Sequence, residues 1–532
     1  MRGKGTEQGM THNHGGDKIA PWVMARAPLL ARLLQATARA TNTIDARANA
    51  VLARRAVWTL AIAGALALQV LLIATHKPWL DEWQALLIAV QAPSWPDLLA
   101  TLRYEGHPPL WYAILRGLAH VLPRPALALP WAAGLLAIPA QLAILLGAPF
   151  ARSQRLALAL SEFVLFEFCT LSRSLTMATA CVLVALALWW RGNWSWAPIV
   201  LLPQCDFLFG ALSFILVGWR WAERRAPWGW MASWIVSGLL AAWWVHPAPD
   251  VAPAIAQHGL PARLVSWLGG MATLGLPLQW HGLAPQWNEP PPALIAAFAL
   301  FAFVAMVMAE LTPRRADRWV VLGFAAFTLV FNLAVYVLAI RHLMLCALLF
   351  VAAVWRRCAQ GGAGPGVWMR AWLWLAAVCG LLMAGLALAI PFNTSDRAAA
   401  WIATHGLAQQ RWLAFPESAG EGISALGGPQ FQRLGKRCVQ TFTRWDNPAP
   451  QKLVDGAQFY RALARMGERE GAYYLLSDIS LPDMPPLIER IGDVPAGLDG
   501  QVFHFYRVSQ NLPPRGLGVP PCTPGLRPFV RF

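Results

Sequence analysis

Lys77–Tyr112 reads KPWLDEWQALLIAVQAPSWPDLLATLRYEGHPPLWY and lies between two apolar runs of the chain. It carries four acids (Asp81, Glu82, Asp97 and Glu105), His107, and the pair Pro108-Pro109. About a dozen acids fall between residues 56 and 391, and a third of them sit between 81 and 105. Avoidance of hydrocarbon explains why acids occupy loops, but not why they gather in this one.

The surrounding sequence is that of a membrane protein. Of 532 residues, 57% are hydrophobic and 13% charged, and mean hydropathy is +0.45. Soluble globular chains carry about 25% charged residues. Apolar runs lie at roughly 56–75, 108–123, 127–148, 156–171, 174–190, 197–219, 229–245, 293–311, 319–338, 341–355 and 370–391. Since a ~30 Å hydrocarbon core takes about 20 helical residues, they read as about eleven spans. A broken hairpin around Pro203-Gln204-Cys205-Asp206 extends the range to 11–13.

The net charge of +16 does not point to nucleic acid. The arginines cluster in short connections (Arg54-Arg55, Arg224-Arg225, Arg314-Arg315, Arg356-Arg357), as the positive-inside rule expects. Placing those connections inside puts the 77–107 loop outside, and also everything after Pro391. Abundant Arg, Ala and Trp suggest a GC-rich bacterial genome, hence a bacterial inner membrane.

Four regions are expected: 1–55, cytoplasmic, with an amphipathic basic helix from Pro28 (arginines at 32, 39, 47 and 54); 56–392, transmembrane, with a first extracytoplasmic loop at 76–107; 393–511, a small extracytoplasmic α/β domain; and 512–532, a Pro/Gly-rich tail. In the third region, Ser395-Asp396 reads as a helix cap, with strands near 411–415, 438–445, 472–477 and 501–508 and a helix over 456–468. Cys438 and Cys522 lie in these last two regions, where an oxidising compartment would allow a disulfide. A second polar loop spans about 247–292. No internal repeat is visible.

Asp81-Glu82 follows Pro78 and is flanked by Trp79 and Trp83, residues suited to a membrane interface. The pair reads as a solvated helix start, or as carboxylates placed to take a proton or hold a metal at the lipid boundary. In EGHPPLWY, the two prolines suit the first turn of a helix, with Glu105 and His107 at its mouth. Arg341-His342 lies between two apolar runs, where a guanidinium either snorkels or binds a phosphate. Glu167 and Arg173 read either as site residues or as a self-neutralising pair. Asp206 reads as a helix bend or as a polar site residue.

Together these motifs resemble the GT-C glycosyltransferases, which use polyprenyl-phosphate-linked sugars and include protein O-mannosyltransferases and lipid A aminoarabinose transferases. Five features carry the resemblance: the acidic pair after the first span, a loop of about 25 residues, the His-Pro-Pro start, FEFCTLSRSLTMA (166–178) and YVLAIRHLML (336–345). The aromatic that many members place after the motif arginine is missing, with Ser174, Leu175 and Thr176 in its place. The resemblance implies a GT-C-like fold and Asp81 as catalytic acid with Glu82 beside it. It further implies His107, Arg173, Arg341 and His342 toward the donor phosphate, and Glu105 or Glu167 as acceptor-side or second acid.

The expectation is thus a polytopic α-helical membrane protein, GT-C-like, with a small C-terminal extracytoplasmic α/β domain. It is expected to move a sugar from a polyprenyl-phosphate carrier to a lipid, glycan or protein acceptor on the periplasmic side, with inversion. A divalent metal (Mg or Mn) at Asp81 and Glu82 is compatible with this, although nothing in the sequence demands it. The rivals are an envelope polysaccharide polymerase or ligase, a non-enzymatic flippase or transporter of lipid-linked sugars, and a scaffold that binds without catalysis.

Overall fold

The structure, a computed structural model, describes residues 28–223, 226–251, 259–281, 284–434, 438–445, 456–508, 520–522 and 525. The expected readings for residues 1–27, for Arg224-Arg225 and for most of the 512–532 tail lie outside the described residues.

Helix α1 (Pro28–Leu52) is the expected basic helix. It is fastened through Asp45, which accepts from Ser153 and Gln154 and pairs with Arg370 at 3.3 Å. Nearby, Arg356 bonds Glu223 at 2.6 Å and Asp317 at 3.0 Å, and Arg357 bonds Glu310. These buried ion pairs mark one end of the helical body. Asp81 marks the other.

From the first end, α2 (Arg55–Thr75) runs to the second. There the loop of the sequence reading turns out to be helical: α3 (Leu80–Gln91), α4 (Trp95–Leu102) and α5 (Leu110–Val121) form a layer across that end. Ser94 caps α4 and accepts from the Asp97 amide at 3.3 Å, which makes Asp97 an ordinary helix-start acid. The apolar run at 108–123, expected to span, is α5, and it packs back along α3. Its 12 residues rise only about 18 Å. Its buried Arg116 donates to the carbonyls of Ala89 and Ala92 at 3.1 and 2.9 Å.

The chain then alternates between the ends. It passes down α6 (Ala128–Leu142), up α7 (Arg152–Ala159) with a π segment at Phe163–Phe168, and down α8 (Ser174–Ala187). Next it climbs α9 (Trp196–Leu201) to Asp206 and descends α10 (Phe207–Ala222), so the 197–219 run is indeed a broken hairpin. It rises again through α11 (Trp228–Val245). The second polar loop holds an unforeseen helix, α12 (Leu260–Ala272), and a short hairpin of β1 (Trp280–His281) and β2 (Ala284–Pro285). The last passes are α13 (Ala293–Glu310), α14 (Arg315–Ala334), α15 (Ile340–Ala359) and α16 (Val367–Ala389).

Among the described residues, six helices are long and apolar enough to cross a membrane: Arg55–Thr75, Pro125–Gly147, Ala293–Glu310, Arg315–Ala334, Ile340–Ala359 and Val367–Ala389. The expected 11–13 transmembrane helices are thus matched in part, with Ser174–Ala187 and Phe207–Ala222 as shorter apolar helices beside these six. Every apolar run is helical; of the remaining ones, 229–245 forms the 18-residue α11, and the others are short, broken or laid across the end. Helix α15 is 89% buried. It is the central pillar, packed on all sides by the others.

The C-terminal domain begins at α17 (Ser395–Thr404). Its N-cap position is Thr394, and Asn393 just before it accepts at Oδ1 from the Ser395 amide at 2.8 Å, in place of the expected Ser395-Asp396 pair. A six-stranded mixed sheet follows in the order β5-β4-β3-β6-β8-β7. It comprises β3 (Trp412–Phe415), β4 (Phe431–Gln432), β5 (Val439–Gln440), β6 (Tyr473–Ser477), β7 (Ile488–Val494) and β8 (Phe503–Val508), with α18 (Glu421–Ala425) and α19 (Gly456–Glu470). One face packs on α17 through Ile402, Trp412 and Phe505; the other packs on α19 through Phe459, Leu463 and Leu475. The domain sits on the Asp81 end: α18 packs on α3, and the Trp287 amide donates to Leu498 O at 2.7 Å. Cys438 and Cys522 form a disulfide.

Candidate functional site

Asp81 and Glu82 occupy the first turn of α3, where the free amides and the positive end of the helix dipole favour carboxylates. Their side chains have different partners. Glu82 is fully buried. It accepts from the Trp79 amide (3.1 Å) and the Ser172 amide (2.6 Å), and its Oε2 lies 2.7 Å from His76 Nε2. It is a staple between α3 and the chain before α8.

Asp81 is the more open of the two, with 23% of its side chain exposed. Its Oδ2 meets Arg341 Nη2 at 2.7 Å and Arg173 Nη1 at 2.9 Å. The arginines come from the head of α15 and the residue capping α8. With 108–123 laid across the end instead of spanning, the chain reaches residue 173 at the same end as Asp81. Counting that run as a span places Arg173 at the wrong end.

Arg341 is buried and lies 4.9 and 5.5 Å from the ring centroids of Trp79 and Trp287. Among the described residues its Nε and Nη1 have no hydrogen-bond partner. A buried donor without a partner costs on the order of 1–3 kcal/mol, more when charged. A guanidinium with spare donors is therefore primed for an anion.

The self-neutralising Glu167–Arg173 pair is not formed. Glu167 instead accepts from Trp287 Nε1 at 2.8 Å. His342 uses Nδ1 to accept from the Ala339 amide at 3.1 Å, so it helps to start α15. Glu105 takes Gln84 Nε2 on both oxygens at 2.8 Å. Burial lifts its carboxyl to about 7, against the influence of His107 and Gln84. Glu421, from the C-terminal domain, is pushed well upward by burial and accepts from the Thr443 amide at 2.7 Å.

His107 Nδ1 lies 3.6 Å from Asp206 Oδ2. Pro108 and Phe207, the residues after this pair, line a cavity of about 780 Å³ between α10, α11 and α14. Its walls are apolar, with Phe214, Trp234, Leu239 and Trp319 among them. The cavity is thus an apolar groove, and His107 and Asp206 directly precede two of its lining residues, Pro108 and Phe207, in the chain.

The suggested metal at Asp81 and Glu82 does not fit. The two carboxylates serve different cations and amides, and no group of three His, Cys, Asp or Glu among the described residues is arranged to hold a metal. Sequence reasoning missed the ring wall of Trp79 and Trp287 as a site feature, as well as Gln84, Ser172 and Glu421. Trp79 was legible only as an interfacial residue, and Asp206 only as two alternatives.

Fold and site together define a polytopic helical membrane protein with a charged cluster where its helical body meets a small sheet domain. No family model, curated protein or solved structure matches the chain.

Proposed function

We propose that this chain is a GT-C-like glycosyltransferase that moves a sugar from a polyprenyl-phosphate carrier to an acceptor outside the cytoplasm, with inversion. The observation that carries the reading is Arg341, a buried guanidinium with two unpartnered N–H groups. It lies within electrostatic reach of His107 and Asp206, whose chain neighbours Pro108 and Phe207 line the apolar groove. An anion attached to a long apolar chain is the ligand that satisfies both features.

In the proposed mechanism, the donor phosphate draws Arg341 and Arg173 onto its oxygens and loosens their hold on Asp81. Both cations sit on Oδ2, which leaves Oδ1 to take the acceptor's proton. The acceptor oxygen forms its bond to the anomeric carbon from the face opposite the phosphate. The bond to the phosphate oxygen breaks, and its electron pair leaves on the lipid phosphate, where the guanidiniums stabilise the charge. Glu105, with a carboxyl titrating near neutrality, serves as the second acid on the acceptor side.

Two features support the sidedness of this reading. The Arg356-Arg357 end belongs in the cytoplasm by the positive-inside rule, and the disulfide suits an oxidising compartment. The site then opens to the periplasm of a bacterial inner membrane.

The test is turnover of labelled polyprenyl-phosphate sugars with candidate acceptors by the purified protein. Wild type is expected to transfer sugar, and Asp81→Asn is expected to lose at least about 100-fold. Equal turnover by the two would sink the assignment.

A further inference from the structure

We infer that Asp206 is a positioning residue that keeps His107 cationic. The imidazolium then joins Arg341 and Arg173 as a third positive group for an anionic lipid headgroup whose chain occupies the groove between α10, α11 and α14. The inference rests on the reading that the ligand is a lipid phosphate, and it adds a residue and a pH dependence to that reading.

Asp206 does two things at once. Its Oδ1 accepts from the Leu208 amide at 2.9 Å and caps α10. Its Oδ2 faces His107 at 3.6 Å. The residue is 5% exposed, and a carboxylate so far from water requires a counter-charge. His107 is the cation that reaches it. His107 Nδ1 is buried and makes no hydrogen bond among the described residues, so nothing except the Asp206 charge holds that nitrogen.

The groups facing His107 come from three places: Asp206 at the head of α10, Glu105 on its own loop, and Arg341 with His342 at the head of α15. Burial and Arg341 oppose the imidazolium, the two carboxylates favour it, and the balance lies upward. Protonated His107 therefore persists above the pH at which a free imidazole would lose its charge. It stands next to the groove wall, because Pro108 and Phe207, which follow His107 and Asp206 in the chain, both line that cavity.

The experiment measures binding of undecaprenyl phosphate to the full chain in nanodiscs across pH 6 to 9. Wild-type affinity is expected to fall as pH rises, with a midpoint above about 6.5, the free imidazole value. Asp206→Asn should move that midpoint downward and so weaken binding severalfold near pH 7.5. Asparagine caps a helix as well as aspartate does, so thermal unfolding should show an intact fold, and Asp206→Glu should restore the wild-type profile. His107→Asn should bind weakly at every pH. Gly323→Leu projects a side chain into the groove from a position where a Cβ meets nothing within 4 Å. It should weaken lipid-phosphate binding and leave inorganic phosphate untouched.

Superimposable profiles for wild type and Asp206→Asn overturn the pairing, whatever the protein does with sugar donors. Unchanged lipid binding by Gly323→Leu overturns the placement of the chain. A wild type that shows the pH-dependent binding without sugar transfer supports this inference and overturns the transferase reading.

Discussion

Arg341 Nη2 lies 2.7 Å from Asp81 Oδ2, although 260 residues separate the two in sequence. The contact joins the head of the central pillar α15 to the head of α3. Arg173 closes on the same oxygen at 2.9 Å. Two cations on one carboxylate oxygen form a clasp, and a phosphate arriving at the guanidiniums competes for it directly.

Asp81→Asn should therefore separate binding from chemistry. Removing the carboxylate charge frees both arginines, so affinity for a lipid phosphate should rise severalfold while sugar transfer falls by at least about 100-fold. Binding and single-turnover measurements on the same preparation check this. A variant that loses binding in step with turnover would show that Asp81 serves to build the site and does not compete with the ligand.

Arg341→Lys should not rescue Arg341→Ala. Lysine keeps the charge but not the planar fork that stacks near Trp79 and Trp287 while bonding Asp81. Lipid-phosphate affinity is expected to fall about tenfold or more in both variants. The check is a titration at two salt concentrations, because a purely electrostatic role would leave the lysine variant close to wild type.

Glu82→Gln should behave differently from its neighbour. Glu82 is buried and ties His76, the Trp79 amide and the Ser172 amide together. Loss of its charge removes charge-assisted hydrogen bonds worth about 1.5–3 kcal/mol each. The unfolding temperature in detergent should drop measurably, whereas Asp81→Asn should move it less. Equal stability of Glu82→Gln and wild type would contradict the staple.

Much of this arrangement is legible in the sequence. Apolar runs become helices, and Asp81, Arg173 and Arg341 meet at one end although span counting along the sequence separates Arg173 from the other two. What local pattern hides is the path between them. The run at 108–123 is as apolar as a span, and only its packing on α3 and the bonds of Arg116 to Ala89 and Ala92 turn it back. That single reversal decides at which end Arg173 lies. Asp206 is ambiguous because one oxygen caps a helix while the other faces His107. Strand β4 has two residues, too few for an alternation pattern to register.

Glu105 supplies a pH-dependent prediction for stability. Its carboxyl rises to about 7 in the folded state from a usual value near 4.5, chiefly through burial. The folded protein thus holds this proton more tightly than the unfolded chain. Its stabilising effect is fully present below about pH 4.5 and is lost as pH climbs through about 7. Thermal unfolding between pH 5 and 8 should show that decline in wild type and a shallower one in Glu105→Gln. Parallel curves would remove Glu105 as the source.

The disulfide links the sheet edge to the described segment 520–522, and it tests sidedness together with stability. Cys438 adjoins β5, Val439 N donates to Pro520 O at 3.0 Å, and Cys522 N donates to Val439 O at 2.9 Å. The bridge spans 84 residues. Closing a loop of that length constrains the unfolded chain by an amount whose usual yield is about 2–4 kcal/mol. Cys438→Ser should accordingly lower the unfolding temperature of the sheet domain and leave the helical body's transition in place. The same variant frees Cys522. If the domain faces the periplasm, a membrane-impermeant maleimide added to intact spheroplasts should label Cys522 in Cys438→Ser and not in wild type. Labelling only after the membrane is permeabilised would place the sheet domain, and with it Asp81, on the cytoplasmic side, and the proposed direction of transfer would have to be reversed.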